Sequence, residues 1–201
     1  VTNAGDVDGN GLDDVLISAT PFANLLTTTG PGRVYLWQTQ PGQAFLAGAT
    51  MEGEQDGCEF GLGLAGVGDI NADGYDDFVV GSPSYTELTN PPWFELHFEG
   101  RAYVYLGGPD LDADADLVLD PPSATALVEA SYGESVAAVG DISGDGVADF
   151  MIGSPTRSAA YLYYGAALPN DLPAQVLSAD ASVFWLGTVS YTHLTLPTKV
   201  T

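Results

Sequence analysis

Three segments of the 201-residue chain align with one another, the first one residue longer just before its proline: GDVDGNGLDDVLISATP from Gly5, GDINADGYDDFVVGSP from Gly68 and GDISGDGVADFMIGSP from Gly140. Their first aspartates, Asp6, Asp69 and Asp141, are 63 and 72 residues apart. A repeat of fixed spacing constrains the architecture before any single strand is assigned. This spacing exceeds that of most helical solenoids and suits a four-stranded blade with one generous loop.

The likeness extends to both sides of each segment. Upstream, Phe60-Gly61 before LGLAGVGD parallels Tyr132-Gly133 before ESVAAVGD. Downstream, aromatics fall on every second residue in Arg33–Trp37, Arg101–Tyr105 and Ala160–Tyr163. That alternation predicts strands with aromatics on one face and Val34, Leu36, Ala102, Val104 and Leu162 on the other, so both faces are apolar and expected to be covered. The runs from Val15, Phe78 and Phe150 are continuously apolar and stop at a proline, which cannot donate to a ladder. Each unit therefore reads as strand, acidic loop, buried strand, variable loop, aromatic strand and a less regular outer strand such as 115–119. The expected class is all-β, with four antiparallel strands per unit.

The acidic loops span 6–14, 69–77 and 141–149 and place oxygen side chains at positions 1, 3, 5 and 9 around a glycine at position 6. A hard cation such as calcium takes six to eight oxygens, so a tight loop must turn alternate side chains inward and add a backbone carbonyl. The ligands expected on this basis are Asp6, Asp8, Asn10, the Leu12 carbonyl and Asp14 in the first loop. The second offers Asp69, Asn71, Asp73, the Tyr75 carbonyl and Asp77. The third offers Asp141, Ser143, Asp145, the Val147 carbonyl and Asp149. Asp13 and Asp76, at position 8, are expected to face solvent. An EF-hand would carry an acid at position 12, where this chain has Ile17, Val80 or Ile152, so the loop closes at position 9 and runs into a strand. The other account of one such loop is an Asp/Gly turn joining two strands; three in register argue against it.

With Phe60-Gly61, the three acidic loops and the endings Gly81-Ser82-Pro83 and Gly153-Ser154-Pro155, residues 1–187 resemble the FG-GAP repeats of integrin alpha-chain propellers and of related bacterial secreted proteins. Tyr132 departs from the pattern in the third unit and Ala19-Thr20-Pro21 in the first. The resemblance implies part of a β-propeller of about seven blades, with Ca²⁺ in the loops, an extracellular or cell-surface location, a protein or cell-surface ligand, and further blades of the same ring as neighbours. It implies an adhesion or binding module; the alternative is the non-catalytic propeller of a larger secreted hydrolase such as a phospholipase. Residues 188–201 hold no acid and the chain's one lysine, Lys199, and are expected to be a non-native tail. The chain starts just upstream of a motif, so a signal peptide is expected to have been lost by truncation.

Lys and Arg number 4 against 27 Asp and Glu, a formal net charge of -23, which repels nucleic-acid phosphates and anionic lipid. Nine of the carboxylates are expected metal ligands, which accounts for part of this charge. No apolar run reaches the ~20 residues of a membrane-spanning helix. The lone Cys58 excludes a disulfide framework within the chain. Gly81-Ser82-Pro83-Ser84-Tyr85 is not a nucleophile elbow, and His97 is the one credible histidine, with no second for Cys58, so no enzyme is expected. Because successive antiparallel strands reverse direction, the variable loops fall at the end opposite the acidic ones. The longest of them carries Trp93, Phe94 and Phe98, the expected partner-binding aromatics.

Overall fold

The computed structural model describes residues 1–20, 30–42, 45–86, 99–122, 130–166 and 173–178. They form three antiparallel four-stranded sheets. Blade 1 contains β1 (Thr2–Gly5), β2 (Asp14–Ala19), β3 (Arg33–Gln38) and β4 (Leu46–Glu52). Blade 2 contains β5 (Leu64–Gly68), β6 (Asp77–Ser82), β7 (Arg101–Tyr105) and β8 (Leu117–Leu119). Blade 3 contains β9 (Ser135–Gly140), β10 (Asp149–Ser154), β11 (Ala159–Tyr163) and β12 (Gln175–Ser178). In each sheet the strands lie in chain order, so every connection is a hairpin. One turn of 3-10 helix, Pro155–Arg157, is the helical element among the described residues.

The blades stack face to face, with the first strands β1, β5 and β9 adjacent and β5 in the middle. Two apolar cores fill the two boundaries. Ala4, Val7, Leu16, Val34 and Leu36 of blade 1 meet Phe60, Phe78, Val80, Tyr103 and Tyr105 of blade 2. Val79, Ala102, Val104 and Leu119 on the other side of blade 2 meet Tyr132, Phe150, Ile152, Tyr161 and Tyr163 of blade 3. Strands β6 and β7 thus send alternate residues into different cores, as their two-faced apolar pattern requires.

The aromatic contacts repeat with the blades. Phe78 stacks on Tyr105 and Phe150 on Tyr163, both at a centroid distance of 5.0 Å. Phe60 meets Tyr103 edge-on at 5.3 Å, and Tyr132 meets Tyr161 edge-on at 5.2 Å. The Tyr that replaces Phe in the third unit therefore keeps the packing, and its hydroxyl gains a hydrogen bond with the Tyr163 hydroxyl inside the core. Cys58 is buried at the first boundary, where its thiol donates to the Pro31 carbonyl at 3.3 Å.

On blade 1, Val15, Ile17, Trp37 and the 54% exposed Phe45 line an open apolar hollow of about 390 Å³. Their counterparts in blades 2 and 3 are buried against a preceding blade. The outer strand expected over 115–119 is shorter, Leu117–Leu119; just before it the Asp116 carboxylate accepts the Leu106 N–H. Arg33 and Arg101, at the starts of equivalent strands, pair with acids: Arg33 with Glu52, and Arg101 with Asp120 and Glu54.

Candidate metal centres

The acidic loops join the first and second strands of the three blades, so they share one end of the stack. In each, the position-1 carboxylate caps the turn. Asp6 accepts the N–H groups of Asn10 and Gly11 at 2.9 and 2.8 Å. Asp69 accepts those of Asp73 and Gly74 at 3.1 and 2.9 Å. Asp141 accepts those of Gly144, Asp145 and Gly146. Position 3 (Asp8, Asn71 or Ser143) accepts the N–H of position 5. The position-5 oxygens of Asn10, Asp73 and Asp145 accept the N–H groups of Leu12, Tyr75 and Val147.

Position 9 does something different. Asp14, Asp77 and Asp149 have no exposed surface. One oxygen of each accepts the N–H of position 2 in its own loop: Val7, Ile70 or Ile142. The other reaches across the sheet to an N–H beyond the third strand: Thr39, Gly107 or Gly165, at 2.8, 2.7 and 2.9 Å. The residue that begins the second strand thereby anchors the loop to the blade.

Two left-handed residues give each loop its curl. Position 6 is Gly11, Gly74 or Gly146, with φ of 87°, 94° and 92°. Position 4 is Gly9, Ala72 or Gly144, with φ of 72°, 60° and 82°. The position-4 requirement was not read from the sequence, although two of the three residues there are glycines. Ala72 adopts the same backbone against its steric preference.

Burial sets the electrostatics of the anchors. It raises the Asp77 carboxyl to about 7 against the backbone donors Ile70 and Gly107, with Asp73 and Asp69 adding repulsion. Burial likewise raises Asp14, with Asp8 and Asp6 contributing. Asp141, on the exposed loop, is lowered by the N–H groups of Gly146 and Gly144.

Among the described residues, Asp6, Asp8 and Asp14 place carboxylate oxygens within 4.8 Å of one another. Two oxygens bound to one calcium-sized ion at roughly 2.3–2.6 Å are at most about 5 Å apart, so this triad fits a single coordination sphere. The other loops have Asn71 and Ser143 at position 3 and can bring only two acids and a neutral oxygen to the same three corners. All three donor sets are oxygen alone, which suits a hard cation and not a thiophilic one.

The family description "FG-GAP repeat" matches residues 2–37 and 60–105, which takes in the first two loops with their flanking strands. These are FG-GAP repeats. The third unit shares their strand order and loop hydrogen bonds, and the aromatic pairs of the second. The chain is also similar to integrin alpha chains: 29% identical to integrin alpha-PS2 of Drosophila melanogaster across 89% of the chain, and 31% identical to integrin alpha-PS3 of the same species across 80%. Against integrin alpha-5 of Xenopus laevis the identity is 33% across 64% of the chain. It spans only 12%, 14% and 12% of the lengths of these relatives.

One expected feature changes in the folded FG-GAP unit. Asp13 faces solvent, bonded to the Asn3 amide, but Asp76 does not: it is half-buried, and its carboxylate accepts the Asp6 N–H of the neighbouring blade at 2.9 Å. Position 8 of one repeat lies against position 1 of the repeat before it, a contact that spacing within a single repeat cannot reveal. Trp93, Phe94 and Phe98 lie outside the described residues. No helix among the described residues is long and apolar enough to cross a membrane.

Proposed function

We propose that this chain is a calcium-binding, non-catalytic FG-GAP propeller module that acts outside the cell or at its surface in protein binding or adhesion. The observation that carries this reading is the repetition of one acidic loop in three blades, with the same curl and the same anchorage, together with the convergence of Asp6, Asp8 and Asp14 in the first. Ca²⁺ would be held by Asp6, Asp8, Asn10, the Leu12 carbonyl and Asp14. In the other blades it would be held by Asp69, Asn71, Asp73, the Tyr75 carbonyl and Asp77, and by Asp141, Ser143, Asp145, the Val147 carbonyl and Asp149. Bound there, the ion neutralises carboxylates that otherwise repel one another within each loop. The similarity to integrin alpha chains supports the adhesive role.

Thermal melts with excess Ca²⁺ and with a chelator test the reading. Ligation of the native state alone stabilises it by about 1.4 kcal/mol per site at tenfold excess over Kd. The melting temperature is expected to rise with Ca²⁺, and to rise less in the Asp69→Asn, Asp73→Asn double variant. Identical melts with calcium and chelator would sink it.

The partner surface proposed for this module is the end opposite the metal loops, where the variable connections β2–β3 and β6–β7 emerge. In the complete protein, Trp93→Ala with Phe94→Ala is expected to abolish partner binding and leave calcium-dependent melting unchanged. Retained binding with shifted melting would place those aromatics in the core.

A further inference from the structure

The three metal loops have the same internal hydrogen bonds and unequal neighbours. Loop 1 (6–14) is gripped from blade 2 at three positions. Its Asp6 carbonyl accepts the Asp76 N–H at 3.1 Å, its Val7 carbonyl accepts the Gly108 N–H at 2.8 Å, and the Tyr75 ring covers Gly9 so closely that a Cβ there would lie 2.6 Å from Cε1. To these the Asp76 side chain adds its bond from the Asp6 N–H, with the Asp76 side chain packed over Gly5 where a Cβ would collide with it. Loop 2 (69–77) receives the same two backbone bonds from blade 3, Ala148 to the Asp69 carbonyl at 3.2 Å and Ala166 to the Ile70 carbonyl at 2.9 Å. Position 8 of blade 3 is alanine, so no carboxylate completes the pair. In loop 3 (141–149), residues 141–146 are all exposed.

We propose that Asp76 is a positioning residue: from blade 2 it fixes the backbone of the first metal loop, so that loop 1 is more preorganised than loop 2. Its carboxylate and N–H clamp both backbone polar groups of Asp6, the residue whose carboxylate caps the whole turn. A carboxylate bond to a backbone N–H is charge-assisted and therefore among the stronger single bonds of the loop. Blade 3 supplies the natural contrast, since Ala148 keeps the backbone half of the clamp and lacks the carboxylate half. The consequence for cation affinity rests on the calcium reading; the ordering of loop 1 does not.

The position-6 glycines give a separate signal for each loop, because the N–H groups of Gly11, Gly74 and Gly146 all donate to the position-1 carboxylate. In ¹H–¹⁵N spectra of the full chain without metal, Asp76→Ala is expected to speed hydrogen exchange at Asn10 and Gly11 about tenfold, with the Gly146 amide unchanged. In a calcium titration the Gly11 midpoint should be lowest in the parent chain and rise about tenfold in Asp76→Ala. Asp76→Asn keeps an acceptor without the charge and should restore about half of both effects. Ala148→Asp should lower the Gly74 midpoint. Unchanged exchange at Asn10 and Gly11 in Asp76→Ala overturns the positioning role, as does an equal shift of all three glycines or a failure of Asp76→Asn to rescue. If exchange changes as expected while no glycine responds to calcium, the positioning role stands and the calcium reading falls.

Discussion

Loops 1 and 3 are close to being the same nine-residue object in two settings. Both place oxygens at positions 1, 3, 5 and 9, turn at left-handed residues 4 and 6, and anchor position 9 to the far side of their own blade. Yet Val7 at position 2 of loop 1 is fully buried, whereas Ile142, its counterpart in loop 3, is 45% exposed. The burial of Val7 comes from blade 2, whose Gly108 N–H bonds the Val7 carbonyl. The shape of the loop is therefore a local property, set by side chain to backbone hydrogen bonds, while its burial is conferred by a neighbour.

The strongest way to break that comparison is to remove an anchor. Asp77→Ala strips the Ile70 and Gly107 N–H groups of their shared buried acceptor, and two unsatisfied donors cost about 2–5 kcal/mol. Asp141→Ala, on an exposed loop where water replaces the carboxylate, should cost about 1 kcal/mol or less. Urea denaturation of the two variants measures the gap, and equal losses would contradict the view that position 9 alone ties loop to blade.

The pH profile of the same anchor sharpens the contrast. With Asp77 raised to about 7 by burial, the metal-free native chain holds a proton there that the unfolded chain gives up near pH 4. Its contribution is present at low pH and is lost as pH rises from about 4 through 7. Metal-free stability should decline across that window, and Asp77→Asn, which cannot titrate, should flatten the decline. Asp141, lowered in the folded chain, acts in the opposite direction and below about pH 4.

A smaller effect separates the two position-2 residues. Val7→Ala removes two methyl groups from a full core and should cost about 1–3 kcal/mol, against a change within about 0.5 kcal/mol for Ile142→Ala in the isolated chain. The smallest concerns Ala72: relief of its left-handed backbone in Ala72→Gly should raise stability by no more than about 1 kcal/mol, read as a modest gain in melting temperature.

Much of this was legible in the sequence because each repeat is written in short-range signals. Period-two aromatics placed β3, β7 and β11; the prolines after Ala19-Thr20, Ser82 and Ser154 marked the ends of β2, β6 and β10; and the Asp/Gly spacing located all three loops. What escaped was relational. Asp76 looked like a solvent-facing acid because its partner, Asp6, is seventy positions away in the chain, and Ala72 gave no sign of the φ it must adopt. The sequence alone determined that there are repeated all-β units with oxygen-lined loops, since propensity, turn chemistry and ligand spacing act within a few residues. Only the tertiary structure decided which side of each strand enters which core, which loop is covered and which acid grips its neighbour, because those depend on how one blade lies on the next.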